Sequence, residues 1–202
     1  MKEALLHMLT EQEGKFVSGQ EISNRLDCSR TAIWKHISEL RKNGYTIEAV
    51  QKRGYRLITS PDAVTAEEVS LYTGDGTFGK KITYRESVKS TQEMEGSIVL
   101  ADEQTGGRGR LGRAWQSPKG TGVWMSLILK PNIPLQKAPQ LTLLIAVAVS
   151  KAIEKVSGIE AAIKWPNDIL ISGKKSAGIL TELQAEADSI HSVIVGIGIN
   201  VN

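Results

Sequence analysis

Seven of the ten residues in the stretch Gly106–Trp115 are glycine or arginine, and it follows an apolar run, Ser97–Ala101, that predicts a buried strand. Glycines let the backbone approach a ligand closely and present its N–H groups. Arg108, Arg110 and Arg113 add positive charge with bidentate geometry for carboxylate or phosphate. The stretch lacks the ending of a Walker loop, and no helix follows it as in a dinucleotide fingerprint. It predicts an anion site, with a mobile surface loop or a nucleic-acid-binding Gly/Arg segment as alternatives.

A lysine stands inside a second, otherwise apolar run. Lys164 lies between Ala161–Ile163 and Trp165, where a lysine side chain either extends to the surface or points at a bound anion. Pro166 confines the segment to a strand edge or a break. Asp168 is suited to hold Mg²⁺ near phosphates, and on spacing alone a turn hydrogen bond is the favoured alternative.

Two further segments carry features that suit ligand binding. The run Gly196–Asn200 predicts a strand that is too rich in glycine to be chosen for stability, which suggests the close approach of a ligand. Ser90, Thr91 and Gln92 place three hydrogen-bonding side chains at the end of another predicted strand. We therefore expect the chemistry of the protein in the second part of the chain.

The elements that must position these residues follow a mixed pattern from residue 81 onwards. We predict strands at 81–85, 97–101, 122–129, 161–165, 168–172, 177–183 and 192–198. One long helix, about 140–156, has apolar residues nearly all round and should be well buried. Because the sequence has no internal repeat and no βαβ alternation, the prediction is an α+β domain on a mixed or antiparallel sheet.

The first sixty residues predict a helix-turn-helix. An apolar face over residues 2–12 predicts one helix, and the capping box of Ser18 and Glu21 starts a second. Ser29 caps a third helix, which has an apolar stripe and several basic residues. Two short helices joined by a tight turn, the second of them cationic, are typical of this DNA-binding motif.

The third helix and the hairpin after it supply the predicted DNA contacts. The segment Tyr45–Ile58 predicts a wing whose basic tip suits phosphate contacts. For Trp34, packing at the edge of the small core is an equal alternative, and for the whole module the alternative is a winged helix used for protein contacts. The candidate DNA-binding residues are Arg30, Thr31, Trp34, Lys35, Lys52 and Arg53.

Positive charge is concentrated in the same part of the chain. Residues 1–60 carry ten lysines and arginines against seven acidic residues, whereas residues 61–202 carry fifteen of each. Between Arg25 and Arg56 there are eight basic and three acidic residues. This asymmetry predicts a polyanionic partner for the N-terminal segment, with a solvated helical surface as the alternative.

Length and composition set the remaining bounds. The chain has 202 residues, and a break at Ser60–Asp62 divides it into a winged helix-turn-helix domain, 1–61, and a catalytic domain, 62–202. The only cysteine, Cys28, excludes an internal disulfide framework and indicates a reducing, cytoplasmic compartment. The longest apolar stretch, Leu141–Val149, is too short to span a bilayer, and no signal peptide is recognised.

Five motifs in a fixed order resemble those of one family. They are Ser90-Thr-Gln92, Gln104-Thr-Gly-Gly-Arg-Gly-Arg110, Lys164-Trp-Pro-Asn-Asp168, Lys175-Ser-Ala-Gly-Ile-Leu180 and Gly196-Ile-Gly-Ile-Asn200. The set resembles the biotin–protein ligases, over nearly the whole chain. With the N-terminal winged helix, the chain is similar to the bifunctional kind that also represses the biotin operon. Each motif alone is of weak to moderate specificity, but their ordered combination is highly specific.

The resemblance implies a two-step reaction with biotin and ATP and assigns residues to it. Ser90, Thr91, Gln92 and Gln104 should hydrogen-bond the biotin head, and the loop with Arg108, Gly109 and Arg110 should close over biotin and the adenylate. Lys164 should bridge the carboxylate and the α-phosphate, which makes Arg110 and Lys164 the implied catalytic residues. Trp115 and Asn200 should lie near the adenosine.

The resemblance also implies partners and points to a shortened chain. Biotin carboxyl carrier protein, operator DNA, Mg²⁺ with ATP near Asp168, and a homodimer in the adenylate-bound state are expected, and no membrane. Family members usually have a helix after the Ser-Thr-Gln motif, and here Glu95-Gly96 and a strand follow almost at once. The end of the catalytic domain and the small C-terminal barrel of the family are expected to be missing after Asn202.

Two other functions compete with this interpretation. One is a non-catalytic transcription regulator whose second domain only senses a small anionic ligand. The other is a related lipoate-type ligase, for which neither the winged helix nor the Gly-Arg-Gly-Arg loop is expected.

Overall fold

The computed structural model describes residues 1–73, 81–93, 98–186 and 189–202. The described chain forms two compact units: Met1–Ala63 with Glu67–Tyr72, and Val64–Ala66 with Thr73–Asn202. The helix that follows the predicted boundary thus belongs mainly to the first unit. A boundary at residues 61 and 62 stays a prediction.

Three helices form the body of the first unit. They are α1 (Lys2–Glu11), α2 (Gly19–Leu26) and α3 (Arg30–Lys42). The Oγ of Ser18 accepts a hydrogen bond from Glu21 N, and the Oγ of Ser29 accepts one from Ala32 N. These caps satisfy backbone donors at the starts of α2 and α3, as the sequence predicts.

A two-stranded hairpin completes the helix-turn-helix with a wing. Strands β1 (Thr46–Val50) and β2 (Gly54–Thr59) pair antiparallel, and helix α4 (Ala66–Thr73) follows them. A small core packs α1, α2, α3 and the hairpin together, with Leu6, Leu9, Ile22, Ile37 and Leu40 fully buried. The apolar periodicity predicted for each helix is the face that this core buries.

A seven-stranded mixed sheet forms the second unit. Its strands are β3 (Ile82–Val88), β4 (Ile98–Gln104), β5 (Gly122–Leu129), β6 (Ala162–Lys164), β7 (Asp168–Ile171), β8 (Lys174–Glu186) and β9 (Ser189–Asn200). Their order in the sheet is β3-β4-β5-β9-β8-β7-β6. Only the β3–β4 pair is parallel among the described pairings. All seven predicted strands are present, and the prediction of an α+β fold on a mixed sheet is confirmed.

The long helix α5 (Ala138–Ser157) packs on the sheet along one side only. Ile145, Ala146 and Val149 are buried in the core of the second unit. Leu144 is 65% exposed and Val147 43% exposed, so the expectation of a well-buried helix is wrong. Apolar residues all round a helix do not bury it when only one of its faces meets the sheet.

Two further expectations concern the segment after the Ser-Thr-Gln motif and a membrane-spanning helix. A short 3-10 turn, Thr91–Glu93, follows the Ser-Thr-Gln motif, and the strand expected to start at residue 97 is described from Ile98. The expectation about Glu95-Gly96 lies outside the described residues. Across the described part of the chain, no helix is both long enough and apolar enough to cross a membrane.

Candidate active site

A pocket of about 320 Å³ opens on one face of the sheet in the second unit. Its floor includes residues of β8 and β9, and the loop Arg108–Trp115 lines it together with Trp165–Asp168. The 3-10 turn contributes Thr91 and Gln92, and the end of β4 contributes Gln104. All five motifs noted in the sequence therefore contribute residues to this one lining.

A chain of hydrogen bonds between polar side chains runs along one side of the pocket. Oε1 of Gln104 accepts bonds from the N and Oγ1 of Thr91, at 2.9 and 3.2 Å, and its Nε2 donates to Oγ of Ser117 at 2.9 Å. Thr91 Oγ1 lies 2.7 Å from Oγ of Ser126. Because the Thr91 hydroxyl donates its single proton to Gln104, Ser126 is the donor to Thr91. The order of donation is therefore Ser126, Thr91, Gln104, Ser117, which fixes the amide orientation of Gln104.

Burial makes this chain rigid and sensitive to change. Ser126 is fully buried, and Thr91 and Ser117 are 3% exposed. Gln92, on the same turn, donates from Nε2 to Leu180 O at 3.4 Å, and its backbone N bonds the Oγ of Ser90. Buried polar groups cost free energy when a partner is lost, so each member holds its neighbours in one arrangement.

The Gly-Arg loop is held by hydrogen bonds within itself. Gly109 N donates to Arg113 O at 2.7 Å, and Trp115 N donates to Gly107 O at 2.9 Å. A side chain on Gly107 would place its Cβ 2.4 Å from the carbonyl oxygen of Trp115. Glycine is therefore needed at residue 107 for the two arms of the loop to approach each other.

Two arginines of the loop bond polar side chains outside the loop. Arg110 Nη1 donates to Oδ1 of Asn167 at 2.8 Å, and Arg108 forms a 3.2 Å ion pair with Glu182. Asn167 is itself fixed, because its Nδ2 donates to Ile179 O and its backbone O accepts from Ile179 N. The loop is thus tied to another lining segment through Asn167, and both guanidinium-bearing residues line the pocket.

The indole of Trp115 lies against the glycines of two adjacent strands. A Cβ on Gly178 or Gly198 would fall within 2.8 Å of ring atoms of Trp115. The ring of Trp124 meets the same indole edge to face, with 6.4 Å between the centroids. The sequence suggested that the glycines near residue 198 admit a ligand, but at this position a side chain of the protein fills the space.

An ion pair places a lysine and a carboxylate at the pocket. Lys175 Nζ lies 2.8 Å from Oδ1 of Asp168 and 5.0 Å from the centroid of the Trp115 ring. Both residues line the pocket. The Asp168 carboxylate thus makes this ion pair in place of the turn hydrogen bond favoured on spacing alone, and its metal contact stays a prediction. No group of three or more potential metal ligands occurs among the residues that the structure describes.

Three residues predicted for the site do not line the pocket within the described chain. Lys164 is exposed on the short edge strand β6, between Ile163, 41% exposed, and Trp165, 76% exposed. Ser90 is buried behind the 3-10 turn, and Asn200 donates from Nδ2 to Lys175 O at 3.3 Å. The role of Lys164 in the chemistry stays a prediction, as does that of Asn200.

The first unit exposes the six residues predicted to contact DNA. Trp34 is 62% exposed and does not pack against the small core, so of the two placements weighed for it, packing at the edge of that core is wrong. Nη2 of Arg30 donates to Oε1 of Gln20 at 3.0 Å. The guanidinium of Arg53 stacks 4.3 Å above the ring of Phe16, which orients a cation at the wing. Thr31, Lys35 and Lys52 are exposed as well.

Comparison with known proteins identifies the family. A model described as the biotin/lipoate A/B protein ligase family matches residues 75–200, more than half of the chain. The chain belongs to this family. A second model, described as an HTH domain, matches residues 2–56. The family resemblance predicted from the five ordered motifs and the winged helix is confirmed.

Two bacterial members of the biotin/lipoate ligase family illustrate the similarity. The Bacillus subtilis (strain 168) protein named bifunctional ligase/repressor BirA is 53% identical over 212 residues, covering all of this chain and 65% of that protein. The Escherichia coli (strain K12) protein of the same name is 29% identical over 197 residues, covering 93% of this chain and 60% of that protein. This chain therefore spans less than two thirds of the length of either relative.

Solved structures of the same family share the fold of the second unit. The biotin protein ligase from Aquifex aeolicus in complex with biotin and ATP is 40% identical, with a TM-score of 0.52 over 61% of this chain and 53% of that one. The biotin protein ligase from Leishmania major in complex with biotin is 30% identical, with a TM-score of 0.52 over 60% of this chain and 57% of that one.

Four residues of the candidate site were not assigned from the sequence. They are Ser117, Ser126, Asn167 and Lys175, each of which bonds a residue that lines the pocket or lines it itself. Asn167 and Lys175 stand inside quoted motifs, so their motif membership was the available signal. The two serines gave no signal, because a serine in a strand or loop is ordinary until its hydrogen-bond partner is known.

Proposed function

We propose that this chain carries the biotin-activating part of a biotin–protein ligase that is also a transcriptional repressor. Biotin and ATP are converted to biotinyl-5′-adenylate and pyrophosphate, and the biotinyl group passes to a lysine of biotin carboxyl carrier protein. Membership of the biotin/lipoate ligase family and the helix-turn-helix support the two halves of the proposal.

One observation carries the enzymatic half: neutral hydrogen-bonding groups and cationic groups line a single pocket. The hydrogen-bonded chain through Thr91 and Gln104 suits a neutral ureido group, which offers both donors and an acceptor. The cations of Arg108, Arg110 and Lys175 suit the carboxylate of biotin and a phosphate. A molecule with a polar ring at one end and a carboxylate at the other satisfies both.

In the first step, a carboxylate oxygen of biotin attacks the α-phosphorus of ATP. The bond from that phosphorus to the oxygen bridging it to the β-phosphorus breaks, and pyrophosphate leaves with the electron pair. Both reactants are anions, so fixed cations at their meeting point lower the barrier most. We propose Arg110 and Lys175 for this place and keep Lys164 as the competing ammonium.

The biotin head would be held by the residues around the 3-10 turn. Thr91 and Gln104 offer hydrogen-bonding groups in the fixed order described above, and Ser90 and Gln92 support the same turn. The backbone of Gly109 and the side chain of Arg108 would cover the bound ligand. Closure of this loop would keep water from the mixed anhydride.

In the second step, the amine of the acceptor lysine attacks the acyl carbon of the adenylate. The bond between that carbon and the phosphate oxygen breaks, AMP leaves, and the amine loses a proton to solvent. We propose the indole of Trp115, which lines the pocket, as the contact for the adenine, with Asn200 near the ribose or base. The adenylate would remain in the pocket during this step, so the acceptor lysine would have to reach it through the pocket's opening to solvent.

Magnesium is proposed as part of the substrate Mg·ATP. Asp168 is the carboxylate nearest the cations of the pocket, and one of its oxygens is already paired with Lys175. The described residues therefore fit a metal that arrives with the triphosphate better than a resident one. Asp168 would then accept hydrogen bonds from the water ligands of the metal, and the ammonium of Lys175 would pair with the phosphate instead.

The regulatory half of the proposal concerns the first unit. The exposed basic face of α3 and the wing would bind operator DNA, with Arg30 at the base edges and Arg53 at phosphates. The adenylate-bound protein would form the homodimer that binds a two-part operator. A cytoplasmic location is proposed from the single cysteine and from the DNA target.

The test is direct formation of the adenylate by this chain. The protein is incubated with Mg·ATP and radiolabelled biotin, and labelled adenylate is separated from biotin. Labelled adenylate that stays with the protein supports the ligase. Biotin binding without turnover supports a sensor of small anions, and binding of lipoate in preference to biotin supports the lipoate-type ligase.

A further inference from the structure

Two glycines face each other on neighbouring strands beneath the indole of Trp115. Gly178 of β8 and Gly198 of β9 are direct partners in the register of the sheet. A Cβ on Gly178 would lie 2.7 Å from Cζ3 of Trp115, and a Cβ on Gly198 would lie 2.5 Å from Nε1. A side chain at either position would occupy space that the indole already fills.

The need for glycine at this pair comes from space and not from the backbone. Neither Gly178 nor Gly198 has a φ in the left-handed region, so any residue could adopt the backbone conformation. Glycine weakens a strand, and in a strand interior it often marks the close approach of another group. Here the approaching group is the Trp115 indole, which reaches both strands at once.

Two further side chains lie next to the indole. Trp124 meets it edge to face, and the ammonium of Lys175 lies 5.0 Å from its centroid. The depth of the indole above the sheet therefore sets its distance from this ammonium. If an alanine at residue 178 or 198 pushed the indole away from the sheet, the indole would move into the pocket.

We infer that Gly178 and Gly198 are positioning residues that form a seat for Trp115 and so set where the nucleotide binds. The inference rests on the proposed function, in which the outer face of this indole contacts the adenine. The chemical class that the seat serves is a purine nucleotide, because a flat aromatic face held at fixed depth suits a flat heteroaromatic ring.

A third glycine on the same strand supplies a matched control. A Cβ on Gly196 would lie 3.0 Å from Cδ of Gln92, and no atom of Trp115 is among its three nearest neighbours. Gln92 belongs to the side of the pocket proposed for the biotin head. The same glycine-to-alanine change, two residues apart on one strand, should therefore affect different ligands.

The experiment titrates biotin and Mg·ATP separately into the wild type, Gly178→Ala, Gly198→Ala and Gly196→Ala by calorimetry. We expect Gly198→Ala and Gly178→Ala to raise the Kd for ATP about tenfold and the Kd for biotin less than about threefold, as overpacking of one contact suggests. Gly196→Ala should change the Kd for biotin more than that for ATP. Thermal unfolding of each variant checks that it is folded.

A second variant separates positioning from a general loss of structure. Trp115→Ala removes the whole indole, including the Nε1 that conflicts with a Cβ at residue 198. Gly198→Ala combined with Trp115→Ala should therefore bind ATP no more weakly than Trp115→Ala alone. An additive loss in the double variant would contradict the seat.

A ligand-free measurement keeps this inference distinct from the proposed function. Quenching of tryptophan emission by acrylamide is compared with and without Trp115→Phe, so that the difference reports the Trp115 indole. Gly198→Ala should make this indole more accessible, and unchanged accessibility would overturn the seat. If the wild type binds no ATP, the proposed function fails, and the quenching result alone decides about the seat.

Discussion

The ammonium of Lys175 lies 2.8 Å from a carboxylate oxygen of Asp168, and both groups line the pocket beside the Gly-Arg loop. The Lys175 side chain is 44% exposed, so it is paired without being buried. An exposed pair of this kind contributes little to folding stability. Its place at the pocket therefore points to chemistry, because the ammonium is held ready for an anion without a large cost of desolvation.

The first prediction separates the two lysines proposed for the first step. Lys175→Ala should lower the rate of adenylate formation about 10²-fold or more, since it removes a cation aimed at developing charge. Lys164→Ala should lower it less than about threefold if the exposed edge position of Lys164 is kept with ligands bound. Single-turnover formation of labelled adenylate measures both.

The pair of variants can fail in an informative way. A large loss in Lys164→Ala with a normal rate in Lys175→Ala would restore Lys164 as the ammonium at the reaction. Asp168→Asn tests the partner: it should leave Lys175 free to meet the phosphate, and biotin binding without ATP should change little.

The second prediction concerns the buried hydroxyl at the start of the hydrogen-bond chain. Ser126→Ala removes the donor to Thr91 and should weaken biotin binding about tenfold, because an unmade buried hydrogen bond costs about 1–3 kcal/mol. Calorimetry with biotin measures the change. Ser192→Ala is the matched control, since Ser192 is also buried in the sheet but bonds Gln184.

The control should lose stability without losing biotin affinity. Equal weakening of biotin binding in Ser126→Ala and Ser192→Ala would mean that the sheet as a whole, and not the chain through Thr91, sets the affinity. A normal affinity in Ser126→Ala would remove Ser126 from the site.

The third prediction distinguishes base contacts from phosphate contacts in the first unit. Arg53→Ala should weaken binding to all DNA sequences and reduce the slope of log K against log salt by about 0.9, the effect of one phosphate contact. Arg30→Ala should weaken binding to the operator by about 1–3 kcal/mol and leave other sequences nearly unchanged. Binding titrations at several salt concentrations measure both quantities, and an equal loss on every sequence for Arg30→Ala would make it a phosphate contact.

The fourth prediction tests the helix that carries these contacts. Ser29→Ala removes the hydroxyl that accepts from Ala32 N and should destabilise the first unit by about 1 kcal/mol. Urea unfolding followed by circular dichroism measures the change. Thr31→Ala, an exposed change two residues later, should alter the stability far less, and equal effects would show that the cap contributes little.

Local signals in the sequence were sufficient for most of the fold. Capping serines placed the starts of α2 and α3 within a residue, because a cap fixes the first turn of a helix directly. Alternating and apolar runs located the seven strands. The ends of β8 and β9 extended beyond the prediction, to Glu186 and from Ser189, because their pairing with each other continues where the apolar pattern fades.

The candidate site was predicted less completely than the fold, for a geometric reason. Motifs identified Thr91, Gln104 and the arginines, but they could not decide which lysine meets the pocket. Lys164 lies on the edge strand β6, whereas Lys175 lies beside an irregularity in the β7–β8 pairing. The direction of a side chain depends on strand register, which is set by partners distant in the sequence.

The tip of the Gly-Arg loop is occupied by an exposed residue in a strained conformation. Leu111 is 87% exposed and has a φ of 57°, a left-handed backbone that costs a leucine about 1–2 kcal/mol. A library of variants at this codon, sorted for heat resistance alone, would be enriched in glycine and asparagine. Retention of leucine after sorting for catalytic turnover would reveal what the loop gains from an apolar tip.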